Sequence, residues 1–336
     1  MRRELPVAAA LAAALAAAPA AHATLAYVKG ARAGKPVVWV AGDDGLSPRA
    51  LVAGGQSPKV SPDGTQVAFV SGTRSARLQV IPVAGGPART LAHHVWNYDA
   101  IQWSPDGTVL SVTTGPELGP YTLRLVTVAT GRAVSLRSGA FYGVSFSPAG
   151  AGLVFSRAAR ETFPVRADLY TTSLTGGSLR RITRDHNATS PVWGPDRIAF
   201  DRARPATRRG DYDKLDIYSL KPDGTGLRRI THTQPRFLLA GLSPLAWSAD
   251  GTRLAAEYGG QDTSEAWRVN PQTGYATDAT GSFDGVVGWG ISRDGSALLA
   301  TTGYFDSPDG SVVAIAWDGG AQTVLARKAT QPSWSR

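Results

Sequence analysis

The chain has 336 residues and a formal net charge of +9, with 38 Gly, 22 Pro and 9 Trp against no Cys and a single Met. An apolar share of 43 % is enough for a full core and excludes global disorder. The lack of Cys excludes disulfide scaffolds, thiolate zinc sites, cysteine nucleophiles and iron–sulfur clusters, while the positive charge admits acidic partners without naming one.

Residues 1–23 read as a secretory signal. Arg2 and Arg3 give a positive start, Val7 to Ala18 an apolar stretch, and Ala21-His22-Ala23 a small-x-small cleavage site. The stretch is too short and too rich in alanine for a membrane anchor, and a lipoprotein would need a Cys at the cleavage point. Arg2-Arg3 also admits twin-arginine export, although Glu4-Leu5-Pro6 fits that motif poorly. The expected product is exported, periplasmic or extracellular, has no transmembrane segment, and begins at Thr24 as a single domain over 24–336.

From there a repeat dominates. An aromatic or branched residue precedes Ser-Pro-Asp-Gly or a variant at Val60-Ser61-Pro62-Asp63-Gly64, Trp103-Ser104-Pro105-Asp106-Gly107 and Phe146-Ser147-Pro148-Ala149-Gly150. Further copies are Trp193-Gly194-Pro195-Asp196, Trp247-Ser248-Ala249-Asp250-Gly251, Ile291-Ser292-Arg293-Asp294-Gly295 and the terminal Trp334-Ser335-Arg336. The spacings between copies are 43, 43, 47, 54, 44 and 43 residues. Proline presets φ at the second position of a tight turn, Asp tolerates the third and Gly closes the fourth. A strand follows each turn, as at Val67 to Val70, Leu153 to Ser156 and Ile198 to Phe200. A third comes at Val37 to Val40, Asp168 to Tyr170, Asp216 to Tyr218 and Ala266 to Val269, and a fourth at Leu179 to Thr183 and Leu227 to Thr231.

Four short strands per repeat are one propeller blade. The chain starts on a second-strand segment, Leu25 to Val28, and stops after a first-strand segment. The reading is therefore an all-β, seven-bladed β-propeller of four-stranded blades, its ring closed by the C-terminal strand pairing with the N-terminal ones. Trp103, Trp193, Trp247 and Trp334 share one repeat position and are assigned to packing between blades. Trp39, Trp267, Trp317, Tyr170 and Tyr218 recur in the third strand and are assigned to the core.

These repeats resemble the WD40-like propeller repeats of the TolB family, in which a Pro, Trp-Ser-Pro-Asp-Gly, an Ile-Ala-Phe strand, an Ile-Tyr strand and an Arg-Leu-Thr ending follow one another. The match is clearest from Leu179-Arg180-Arg181-Ile182-Thr183 through Ser190-Pro191-Val192-Trp193 to Ile198-Ala199-Phe200. The chain departs from that family in having seven copies and no N-terminal α/β domain, so the Tol-system role is not carried over. Similar repeats form the propeller of prolyl-oligopeptidase-like peptidases, but no hydrolase domain or Gly-x-Ser-x-Gly elbow is expected here.

The resemblance implies that the fourth-to-first linkers and second-to-third loops share one face, round the mouth of a central channel. His93, His94, His186 and His232 fall in such linkers, with Gln234 beside the last. Related pectin lyases place a metal on this face with His and Gln, so His93 or His94, His186, His232 and Gln234 are the residues a metal would use, His186 and His232 foremost. Ligand spacing within one element is lacking, and no metal or cofactor is expected. Trp96 and Tyr98, with Asn97 and Asp99, fit no repeat position and are read as an exposed aromatic cluster.

Charge is concentrated. Residues 157–236 carry 16 basic and 9 acidic side chains. Much of the excess lies in two neighbouring second-to-third loops, one with Arg157 and Arg160, the other with Arg202, Arg204, Arg208 and Arg209. Long loops on a rigid scaffold tend to carry binding function. The expected function is a monomeric, non-enzymatic binding or scaffold module for a protein or an anionic cell-envelope polymer. The alternative is a metal-dependent lyase or hydrolase acting on a carbohydrate or lactone at the channel mouth. Nucleic acid is not expected, since no basic–aromatic interleaving supports it, and Asn187-Ala188-Thr189 is an incidental glycosylation triplet in a bacterial-looking chain.

Overall fold

The computed structural model describes residues 24–31, 33–73, 75–96, 98–162, 164–204, 214–232, 241–260, 264–280, 285–303 and 310–335. The expected signal segment, Asn97, Arg208, Arg209 and Gln234 lie outside the described residues. Within them the chain is all-β apart from one turn of 3-10 helix, Tyr98–Ala100. No described helix is long and apolar enough to cross a membrane.

The strands form antiparallel meanders. Gly55–Val60, Gln66–Ser71, Arg77–Pro82 and Arg89–His93 make one four-stranded sheet, and Val287–Ile291, Ala297–Thr301, Ser311–Ala316 and Gln322–Arg327 make another. In a third, the C-terminal strand Thr330–Trp334 pairs with Thr24–Lys29, which is followed by Val37–Gly42 and Arg49–Ala53. Across that seam the Ser335 amide donates to the Thr24 carbonyl at 3.0 Å and the Thr24 amide to the Ser335 hydroxyl at 2.9 Å. The remaining strands join into two eight-stranded sheets, each built of two such meanders.

The fusions have local causes. Ala133–Phe146 runs on for 14 residues, pairing first with Tyr121–Thr127 and then with Gly152–Ala158, so no separate linker divides the two units. The crossing is at Gly139, with φ +150°, where a Cβ would lie 2.4 Å from the Ala158 carbonyl oxygen. The other fusion is a single parallel bridge between Leu215 and Gly241.

The repeated turn carries more than chain reversal. In Ser61–Gly64, Ser104–Gly107, Ser147–Gly150, Ser248–Gly251 and Ser292–Gly295 the Gly amide donates to the Ser carbonyl at 2.8–3.0 Å, and the Gly adopts positive φ. Each Ser is buried. Its hydroxyl accepts the amide five residues on, from Gln66, Val109, Gly152, Arg253 or Ala297, at 2.9–3.0 Å. Where the turn has an Asp, the same hydroxyl donates to it at 2.6 Å.

Apolar clusters lie between successive sheets. Ala26, Val28 and Val38 pack with Val67 and Phe69 on one side, while Leu25 and Tyr27 pack with Leu299, Val312 and Leu325 on the other. The N-terminal strand is thus wedged between the sheet that follows it and one near the chain end. Two of the repeat tryptophans also bond across units: the Trp103 indole donates to the Lys59 carbonyl at 2.9 Å and the Trp247 indole to the Val192 carbonyl at 3.1 Å.

The fourth strands at 179–183 and 227–231 are shorter than expected, reduced to Arg180–Arg181 and Arg228–Arg229. A threonine hydroxyl ends each ladder: the Leu169 amide donates to Thr183 Oγ1 and the Ile217 amide to Thr231 Oγ1, both at 2.9 Å.

Two outcomes test these contacts. Truncation after Ala329 strips the strand that pairs with Thr24–Lys29 and exposes a sheet edge; melting should fall by about 5 °C or more, the equivalent of ~3 kcal/mol in a chain of this size, and unchanged melting would contradict the role of this seam. In the turns, the Ser248 hydroxyl and the Thr252 amide and hydroxyl hold the Asp250 carboxyl down at about 2. The Ser104 hydroxyl and the Thr108 amide lower Asp106 in the same way. Carboxyls held low in the folded state stabilise it above their unfolded value of 3.8, and the contribution is lost as pH falls through the folded value. Melting temperature should therefore drop between about pH 4 and 2, and Asp250→Asn should flatten that drop.

Candidate functional site

The first strand of each unit places polar side chains on a central cavity of about 1120 Å³. Its wall runs from Lys59 through Gln102, Tyr142, Ser190, Ser243 and Trp289 to Gln331. Ala31, Val165 and Gly303, from the segments between second and third strands, also line it, as do Leu215 at the start of a third strand and Ala329 in a fourth-to-first linker. The cavity therefore meets the loop face that the resemblance implied.

Bulges aim residues into this space. Ser57, Ser190 and Gln331 each precede a proline and each sit at φ about +50°, a conformation uncommon outside Gly and Asn. Two of the three, Ser190 and Gln331, line the cavity, and register shifts mark the same place in the pairing of Gly55–Val60 and Thr189–Trp193. The Gln331 side-chain carbonyl accepts the Ser57 amide at 2.8 Å, tying the C-terminal strand to the next unit.

Around the rim, buried carboxylates organise the arginines. Asp168, 2 % exposed, accepts from Arg181 Nη2 at 2.6 Å and Thr183 Oγ1 at 3.1 Å, and faces His186 Nδ1 at 2.8 Å. Asp216, fully buried, repeats the pattern one unit on with Arg229 Nη2 at 2.8 Å, Thr231 Oγ1 at 3.1 Å and Arg204 Nε. Third-strand Asp and fourth-strand Arg-x-Thr thus form one tether, used twice.

The remaining sequence candidates disperse. Arg202 pairs with Asp185 and lies over the Tyr218 ring at 5.0 Å, and Arg157 Nε donates to the Ser138 carbonyl at 2.6 Å. Arg160 is exposed, as are Arg166 and Arg184. His93, His94 and His232 are exposed, and His94 takes positive φ. Among the described residues no three His, Asp or Glu side chains gather into a group that could hold a metal. Trp96 is half-buried: its indole donates to the Gly115 carbonyl at 2.8 Å and its ring stacks on Tyr121. Tyr98 packs against the core between two units, in a 3-10 turn that splits the first strand into Val95–Trp96 and Gln102–Trp103. That inserted turn is why the segment fits no repeat position.

Sequence reading missed Asp201. It follows the Ile-Ala-Phe run in the middle of the strand Ile198–Arg204, a run whose repeat role is core packing. In the structure it is 2 % exposed, lines the cavity, and accepts from Thr189 Oγ1 and from Ser243 Oγ at 2.7 Å.

Known proteins share this architecture. The propeller domain of the Trilobed protease from Pyrococcus furiosus superposes with a TM-score of 0.63 at 12 % identity, over 87 % of each chain. TolB from Acinetobacter baumannii matches 93 % of this chain and 66 % of its own with a TM-score of 0.55 at 17 % identity. The fold is a TolB-like β-propeller. An oligogalacturonate lyase from Vibrio parahaemolyticus also shares it, with a TM-score of 0.58 at 15 % identity over 80 % of this chain and 76 % of that one. In sequence, a tricorn protease homologue from Streptomyces coelicolor is 30 % identical over 194 residues, which are 52 % of this chain. The propeller matches only 17 % of that relative's length. No protein-family model matches the chain.

The tether is open to a direct test. Asp216→Asn leaves Arg204 and Arg229 facing a neutral amide; stability should fall by about 3 kcal/mol, as for a broken buried pair. Thermal and denaturant unfolding would measure this, and a loss below ~0.5 kcal/mol would show the tether to be dispensable.

Proposed function

We propose that the chain is an exported, non-enzymatic binding propeller that holds an acidic protein surface or an anionic cell-envelope polymer against its loop face. In this reading residues 1–23 direct export. Seven four-stranded blades form the ring, and the pairing of Thr330–Trp334 with Thr24–Lys29 closes it. The observation that carries the reading is the wide cavity, lined in part by the loop residues Ala31, Val165, Gly303 and Ala329, with exposed Arg160 and Arg166 in the segment that carries Val165 and exposed Arg184 in the linker of the same unit to the next. A concave site with a polar wall, a few aromatics and a charged rim is suited to recognition. Arg208 and Arg209 belong to the same arginine-rich stretch, outside the described residues.

In the lyase or hydrolase alternative, His186, whose Nδ1 faces Asp168 at 2.8 Å, and His232 would be the foremost metal ligands; Gln234 lies outside the described residues. Likeness to a lyase and to peptidases supports a common scaffold, on which unrelated functions are built.

Retention on a polyphosphate resin tests the rim. With Arg160, Arg166 and Arg184 all changed to Ser, exposed charges contributing about 0.2–1 kcal/mol each predict a loss of binding of roughly tenfold at low salt. The salt dependence should flatten while the melting temperature holds. Equal retention of variant and wild type would overturn the proposal.

A further inference from the structure

Among the described residues, one buried carboxylate of the cavity has no cationic partner. Asp168, Asp185 and Asp216 each face a guanidinium. Asp201 is as buried as Asp168, yet among the described residues only two hydroxyls, Thr189 Oγ1 and Ser243 Oγ, reach its carboxylate. Neutral hydroxyls satisfy hydrogen bonding but bring no counter-charge, and a buried carboxylate ordinarily has a cation beside it. Each oxygen accepts one hydroxyl, so each keeps acceptor capacity.

The surroundings suit a cation. Ser243, which donates to Asp201, is the ladder partner of Glu257, and Glu257 lines the same cavity. Carboxylates from two successive units thus flank one hydroxyl. The wall continues to Tyr142 on one side and to Trp289 on the other, rings whose faces attract ammonium and guanidinium groups. Lys59 is the cavity's one basic side chain among the described residues. It belongs to Gly55–Val60, a strand outside the run of units that carries Asp201 and Glu257.

We propose that Asp201, supported by Glu257, is the anchor of a cation-binding site in the cavity, taking a primary ammonium or guanidinium group. The volume of about 1120 Å³ exceeds that of most small-molecule pockets, so the group is carried on an extended segment, a lysine- or arginine-bearing peptide rather than a free polyamine. This inference rests on the loop face being a binding face and adds the chemistry of what enters the cavity.

Calorimetric titration of the whole protein with a Gly-Lys-Gly-type peptide, its Nε-acetylated form and spermidine tests it. The lysine peptide should bind, acetylation should weaken binding about tenfold or more, as expected for losing a charge-assisted bond, and Asp201→Asn should do the same. Spermidine binding as tightly as the peptide would assign the site to free polyamines and overturn the peptide commitment. Melting separates the roles: Asp201→Asn should leave the melting temperature unchanged or raise it, opposite to Asp216→Asn. No binding of either cation, or equal binding by Asp201→Asn, would overturn the site. Retention on polyphosphate is unaffected by that outcome, so failure here and failure of the arginine rim are distinguishable.

Discussion

Five times along the chain a buried serine hydroxyl accepts the amide five residues on, closing the turn between the first and second strands of a unit. The bond closes the hairpin in these five units, and it fixes which residue of one strand faces which residue of the next. Because side chains alternate along a strand, a slip of one residue would turn every inward side chain outward. With register fixed at the inner turn, the bulged residues farther along the same strand are aimed at the cavity. The tryptophan just before the serine, at Trp103 and Trp247, reaches the carbonyl of the preceding unit. Hairpin geometry, inter-unit packing and cavity lining therefore share one local cause.

Farther out, the units are tied differently. A third-strand aspartate clamps the fourth-strand Arg and Thr at Asp168 and Asp216. The threonine hydroxyl there does the work of a ladder carbonyl, so two residues of regular pairing suffice. The clamp also draws in the linker residue His186 in one unit and, in the next, Arg204, which the structure places in the second strand Ile198–Arg204 rather than in the loop expected from sequence. Part of the arginine excess in residues 157–236 is thereby used inside the fold, where it neutralises buried carboxylates instead of projecting to solvent. The exposed remainder among the described residues, Arg160, Arg166, Arg180, Arg184 and Arg228, is smaller than the composition of the stretch implies.

The architecture was legible because a turn motif with a mechanism recurs at nearly constant spacing, and strand signals fall at fixed offsets from it. Val67 to Val70, Leu153 to Ser156 and Ile198 to Phe200 all lie in strands. The site was less legible, since cavity lining is a property of strand register and bulging that no single residue announces. Ser190 and Gln331 look like ordinary residues before a proline, and only their positive φ and shared place in the repeat give them away. Histidine and arginine drew notice by type, yet His186 and Arg202 are held by neighbouring carboxylates. Asp201 drew none, because it stands where the repeat leads one to expect packing.

The two kinds of aspartate also explain how a cationic chain can present an acidic interior. A carboxylate near the rim is within reach of long arginine side chains from the fourth strand and the loops, and is neutralised there. One on the second strand, lining the cavity, has the short Thr189 and Ser243 as its hydrogen-bond partners. Position within the unit thus decides whether a buried charge is settled by the fold or left to a ligand. A net charge of +9 describes the outside of such a molecule. In a concave site walled by low-dielectric protein, the field follows the charged groups lining the wall rather than the total.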